Sequence, residues 1–242
     1  GNSDSFRMKL SFLPNGNCVI LPNINGRGYG FFKITEGESS GLWSVLRSSE
    51  DEVLKGSLLI TLYENLRWKT ISPQGFREEM LAYLPNESNS LLFSMALSYL
   101  GDCQRIFPSD SRPLEQVLWK IVTTNPVSQH RLQAFRLYRS IADSEEAVQR
   151  LYTLWQERKA PKDCTLSESD YIGLSYMLAM HLPEKADKII ATQLSRIQNP
   201  DRKKEYQFIS SSVSPRKAER DSVFASLLIA GNRRVEPWAS SA

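Results

Sequence analysis

Residues 127–159 read VSQHRLQAFRLYRSIADSEEAVQRLYTLWQERK, two stretches of three-to-four residue apolar period on either side of Ala142-Asp143-Ser144. In the second stretch Val148, Leu151, Tyr152 and Trp155 share one helical face, the stripe that an amphipathic helix buries against a neighbour. Asp143 and Glu146 are placed as a capping box ahead of it. Helices over 127–142 and 144–159, joined by so short a connection, must run antiparallel and side by side.

The same pattern extends in both directions. Toward the C-terminus, helices are expected over 169–182, 184–198 and 215–230, separated by Pro183, Asn199-Pro200 and Ser214-Pro215. Toward the N-terminus they are expected over 91–105 and 113–123, and over 51–68, where Leu54, Leu58, Leu62 and Leu66 recur every fourth residue. Ser72-Pro73 reads as an N-cap followed by proline at the first helical position. Successive pairs recur at roughly the 40 to 47 residues of HEAT-like units, without sequence identity between them.

Before residue 35 the period changes. Phe6, Met8, Leu10 and Phe12 alternate with Arg7, Lys9 and Ser11, which is the period of two of a half-buried strand. Asn15-Gly16-Asn17 is a turn cluster, the run 18–21 follows at hairpin distance, and a third run over 29–34 comes after the turn at 23–28. Residues 35–40 read as a loop. The expected fold is thus mostly α: an irregular HEAT/armadillo-like helical superhelix over 37–242, preceded by a short β-rich, sandwich-like segment over 1–36.

Composition narrows the function. With 41% hydrophobic and 24% charged residues the chain has the makings of a globular core and is neither disordered nor fibrous. Its 30 basic and 27 acidic residues leave a formal charge of +3, too near balance for the broad positive field that nucleic-acid binding needs. Cys18, Cys103 and Cys164 are far apart and odd in number, so they suggest neither a disulfide framework nor a zinc knuckle. No apolar run approaches the roughly 20 residues of a membrane span. These features lead us to expect a soluble protein, cytoplasmic or, in a bacterium, periplasmic or secreted. Gly1 in place of Met implies that the native start lies upstream.

Catalytic motifs are missing. The two histidines, His130 and His181, stand about fifty residues apart, so the His-Glu-x-x-His zinc helix cannot be written. Gly26-Arg27-Gly28-Tyr29-Gly30 lacks the spacing and the following helix of a dinucleotide loop. Glu78-Glu79 and Glu145-Glu146 are adjacent, so on a helix they splay apart instead of converging. Neither a Gly-x-Ser-x-Gly elbow nor a Cys-His pairing is present. His130 is expected at the surface or in a cap, and His181 at a helix end where a cation favours the dipole. Arg131, Arg136, Arg139 and Arg150 are expected to be solvated or paired with carboxylates.

The order of several segments nonetheless resembles a known family. Leu21-Pro22-Asn23 leads into Gly26-Arg27-Gly28-Tyr29-Gly30-Phe31-Phe32-Lys33-Ile34; Trp43 to Leu46 precedes the long helical run 53–66; Leu81-Ala82-Tyr83-Leu84-Pro85-Asn86-Glu87 follows; and Arg220 to Leu228 leads into Asn232-Arg233-Arg234-Val235-Glu236-Pro237-Trp238. In this order they resemble the C-terminal region of aminopeptidase N-type zinc metallopeptidases. There a small β domain feeds a helical superhelix, and the zinc-bearing domain lies upstream. Tyr29-Gly30-Phe31-Phe32-Lys33 stands where that family has two tyrosines and an arginine, and Lys55, Gly56 and Ser57 stand near its usual Arg and two Asp.

The resemblance implies a non-catalytic piece, with no catalytic or metal-binding residue and no cofactor of its own. Zinc is expected in the upstream catalytic domain of the same polypeptide. This chain would form the wall that encloses the active site and limits or positions a peptide substrate. Arg220, Arg233 and Arg234 are the residues it marks for holding the peptide's carboxylate end. Pro237 and Trp238 read as a helix just begun, so the superhelix is expected to continue past Ala242. Two alternatives remain at this stage: a free-standing HEAT-like protein or peptide-interaction module, or a scaffold whose parent has lost its zinc ligands.

Overall fold

The computed structural model describes residues 20–241 apart from 22, 25–27 and 29. Among these residues the chain is all-α, with twelve helices and no strand. Its contacts cluster into two compact units, residues 1–83 and 84–242.

The first unit holds α1 (Glu36–Ser48), α2 (Glu52–Arg67) and α3 (Pro73–Tyr83). α1 begins where a loop was expected, because Thr35-x-x-Glu38 closes a capping box. The Thr35 backbone N–H donates to the Glu38 carboxylate at 2.7 Å, and the Glu38 N–H donates back to Thr35 Oγ1 at 3.4 Å. Asp51 caps α2 by accepting from the N–H groups of Val53 and Leu54. Ser72 Oγ accepts from the Gly75 N–H at the start of α3, as its sequence position implies. Leu42, Trp43 and Leu46 of α1 are fully packed against the unit's other helices, with Trp43 meeting Phe76 edge to face at 5.5 Å. Arg47 and Glu79 form an ion pair from α1 to α3.

The β-rich expectation is not met where it can be read. The strands placed at 6–13 and 18–21 lie outside the described residues except for Ile20 and Leu21, which form none. The run 30–34 forms none either. A side chain has taken the place of a strand partner: Asn65 of α2 accepts from the Ile34 N–H through Oδ1 at 2.9 Å and donates from Nδ2 to the Phe32 carbonyl at 2.8 Å. One amide thus satisfies the two backbone groups that a neighbouring strand would have paired. Period-two patterning reports one buried edge of the segment, here Ile34, and says nothing of what covers it.

The second unit contains α4 (Ser90–Ile106), α5 (Arg112–Thr124), α6 (Ser128–Ile141), α7 (Glu145–Glu157), α8 (Glu168–His181), α9 (Ala186–Arg196), α10 (Pro200–Ser210), α11 (Lys217–Leu227) and α12 (Glu236–Ser241). Alternate helices form two rows. In one row α4 packs on α6 and α6 on α8, and α8 meets α10 through Ser175 Oγ and Tyr206 Oη, 2.9 Å apart. In the other, Glu115 of α5 binds the start of α7, and the Trp155 indole N–H of α7 donates to Gln193 of α9 at 2.8 Å. Phe93, Leu100, Leu118, Phe135, Tyr138 and Leu174, all but inaccessible to solvent, belong to the core of this unit.

Two details differ from the sequence pattern. The cap of α7 is Ser144, which accepts from the Ala147 N–H, one residue later than the Asp143–Glu146 box; Glu146 instead pairs with Arg150 at 2.5 Å. Asn199-Pro200 opens α10, with Asn199 Oδ1 accepting from the N–H groups of Asp201 and Arg202. It reads as a break only if the helix that follows goes unrecognised.

Candidate functional site

A groove with a cavity volume of about 640 Å³ runs between α4 and α6 of the second unit. Its α4 wall carries Ser94, Ser98 and Gly101, small residues spaced four and three apart on one helical face. Because these residues are short, the space beside α6 stays open. Across it stand Gln133, Leu137, Ser140 and Ile141. Gly101 lets Leu137 approach closely: a Cβ on it would come within 2.9 Å of the Leu137 Cδ1, which would have to turn aside.

Gln133 is the polar feature of this groove. Its Oε1 is buried and has no hydrogen-bond partner. An unpaired buried acceptor destabilises a fold by about 1–3 kcal/mol. Asp102 and Arg105, which pair at 2.5 Å, also line the groove, as does Arg136.

Arg136 is held from α8. Its Nε and Nη2 donate to the two carboxylate oxygens of Asp170 at 2.9 and 3.3 Å, a bidentate fork. Ser167 donates to the same carboxylate through its N–H and hydroxyl. Burial works to raise the Asp170 pKa, but these donors outweigh it and hold the group below its ordinary value. Arg139 lies beneath, donating to the Asp170 carbonyl at 3.2 Å; burial pushes its pKa down. Gly173 makes room for it, because a Cβ there would stand 2.6 Å from Arg139 Nη1.

A second cavity, of about 430 Å³, lies between α5 and α7 and is lined by Arg112, Gln116, Trp119, Lys120, Glu146 and Arg150 among others. The Arg150 guanidinium sits 4.6 Å from the centre of the Trp119 ring and donates to Tyr138 Oη at 2.8 Å.

The arginines singled out by resemblance are elsewhere. Arg220 Nη1 donates to the carbonyls of Ser214 and Pro215 at 2.6 and 3.0 Å, securing the loop before α11. Arg233 ends the 3₁₀ turn Ala230–Arg233, Arg234 follows it, and both are exposed. None of the three lines either groove.

His130 corrects its expectation of a surface or capping role. It is 1% exposed and stacked on Phe93 with ring centroids 4.0 Å apart, and its Nε2 lies 3.0 Å from Ser90 Oγ. Phe93 offers a flat apolar face that an imidazole matches, and burial lowers the His130 pKa against the opposing charge of Glu87. His181 does end α8, exposed, 3.9 Å from Asp143. Arg131, Arg136, Arg139 and Arg150 pair with Asp163, Asp170, Asp170 and Glu146, as expected, although the side chain of Arg131 is largely buried. Gln133 carries no motif, and in sequence it looks like any polar helix residue.

Among the described residues, no group of three or more His, Cys, Asp or Glu is placed to hold a metal ion, and no helix is long and apolar enough to cross a membrane. Compared with protein-family models, curated proteins and solved structures, the chain matches none.

Proposed function

We propose that this chain is a non-catalytic helical wall that holds a segment of peptide, and that it forms the C-terminal portion of an aminopeptidase N-like zinc peptidase. The observation that carries peptide holding is the open α4–α6 groove, with the short Ser94, Ser98 and Gly101 on one wall and Leu137 and Ile141 on the other. A peptide supplies backbone N–H donors along its length and apolar side chains for Leu137 and Ile141. The two rows of alternating helices support reading the second unit as a HEAT-like superhelix, and the order of segments from Leu21 to Trp238 supports the family. In that setting zinc and the attacking water belong to the upstream domain, and the wall limits or positions the substrate. Arg220, Arg233 and Arg234 remain its proposed contacts for the peptide's carboxylate end.

Arrayed unstructured peptides test the groove. A subset should bind the chain, and Ser98→Trp, which fills the groove from its α4 wall, should weaken them roughly tenfold while the helical circular-dichroism spectrum is kept. Unaltered binding by that variant removes the groove from the proposal. The two rows of helices equally suit a free-standing interaction module. The parent reading frame separates the two readings, since the peptidase requires His-Glu-x-x-His with a downstream Glu ahead of this segment.

A further inference from the structure

The cavity of about 430 Å³ between α5 and α7 takes no part in the peptide groove, and its size lies at the lower end of the range of small-molecule sites. Trp119 of α5, half-buried, and the buried Ala147 of α7 give it an apolar wall. Arg150 of α7 is fixed beside that wall. Its guanidinium stands 4.6 Å from the centre of the Trp119 ring, donating through Nη1 to Tyr138 Oη at 2.8 Å and through Nη2 to Glu146 at 2.5 Å. Those bonds use two of its five N–H donors and leave three. The Glu146 side chain is 79% exposed, so its pairing with Arg150 contributes little and a second carboxylate can share the guanidinium.

The carboxylates of this cavity are engaged, while donors remain. Glu115, the other carboxylate that lines it, accepts from the N–H groups of Asp143 and Ser144 and from the hydroxyls of Ser144 and Ser111. Arg112 donates from Nε to both carboxylate oxygens of Asp110, which does not line the cavity. Lys120, next to Trp119 in sequence, also lines the cavity; it is exposed and makes no ion pair among the described residues. An ammonium without a counter-charge at the edge of an apolar wall concentrates its field on an incoming anion.

We propose that the α5–α7 cavity binds a small organic acid, a carboxylate carried on an apolar ring. The carboxylate accepts from Lys120 and from the spare N–H groups of Arg150, and the ring lies against Trp119 and Ala147. A neutral ring would leave Lys120 without a counter-charge, and acetate would leave the Trp119 wall uncovered. The cavity belongs to the other row of helices from the α4–α6 groove, so either site can fail without the other.

The test titrates benzoate, benzamide, benzylamine and acetate into the chain at pH 7 and matched ionic strength. The readout is the NMR signal of the Trp119 indole N–H, assigned with Trp119→Phe. Benzoate should shift it saturably, and the other three should bind at least roughly tenfold more weakly. Lys120→Gln removes the unpaired charge from an exposed position and should weaken benzoate roughly fivefold with no change in melting temperature. Gln116→Trp, which fills the cavity from α5, should abolish the shift while the helical circular-dichroism spectrum is kept. Equal binding of benzoate and benzamide, no shift at Trp119, or undiminished benzoate binding by either variant would overturn the proposal.

Discussion

Asn65 shows how one side chain can replace an element of secondary structure. It joins Ile34 and Phe32 to α2 and also donates to the Thr61 carbonyl, all within a buried site. Asn65→Leu would leave the Ile34 N–H and the Phe32 carbonyl unpaired, at a cost of about 3 kcal/mol. Asn65→Asp keeps the acceptor for Ile34 but turns the donor toward Phe32 and Thr61 into a repelling oxygen. Hydrogen exchange at the Ile34 amide should accelerate in Asn65→Leu and stay slower in Asn65→Asp. His130 supplies a pH dependence of definite sign. Its folded pKa lies below the ordinary 6.5, so between those two values the unfolded chain binds a proton that the native chain does not, and stability falls as pH drops through that window. His130→Phe keeps a ring against Phe93 and cannot titrate. The slope of urea midpoint against pH should flatten in that variant, and an unchanged slope would assign the titration to another group.

At the level of helices, Glu115 is the joint of the second unit. From α5 its carboxylate accepts from the N–H groups of Asp143 and Ser144 at 2.8 and 3.1 Å, from the Ser144 hydroxyl and from Ser111 Oγ, so it fixes the α6–α7 turn. Burial alone would raise its pKa, but the four donors hold it below the ordinary 4.5. Asp170 ties α6 to α8 with the same sign. Both contributions are present at neutral pH and are lost as pH falls, from below 4.5 for Glu115 and from below 3.8 for Asp170, through each lowered folded value. Glu115→Ala should destabilise the unit by about 3 kcal/mol, and Glu115→Gln, which retains one good acceptor, by less; chemical denaturation measures both. The helices themselves were largely legible, because apolar period and caps are local. α1 and α10 went unread although Thr35-x-x-Glu38 and Asn199-Pro200 are caps, since a short polar helix such as PDRKKEYQFIS has little apolar stripe to announce it. The α4–α6 groove was not legible at all. It depends on Ser94, Ser98 and Gly101 facing Leu137 from another helix, a distance that no local pattern encodes.

For the molecule as a whole, the run of helices expected over 37–242 is divided between two compact units, each with its own buried apolar residues. Residues 84–242 expressed without 1–83 should therefore keep a helical circular-dichroism spectrum and melt on their own; an unfolded product would show that the units are not separable. Within the second unit, most of the polar links between helices described above reach across 28 to 40 residues, from a helix to the next in its own row, while Arg150 ties α7 to Tyr138 of α6. Links of this reach relay strain step by step along the helices of the unit. Damage at α11 should thus fade before it reaches α4, and amide protection should descend as a staircase from the middle helices outward.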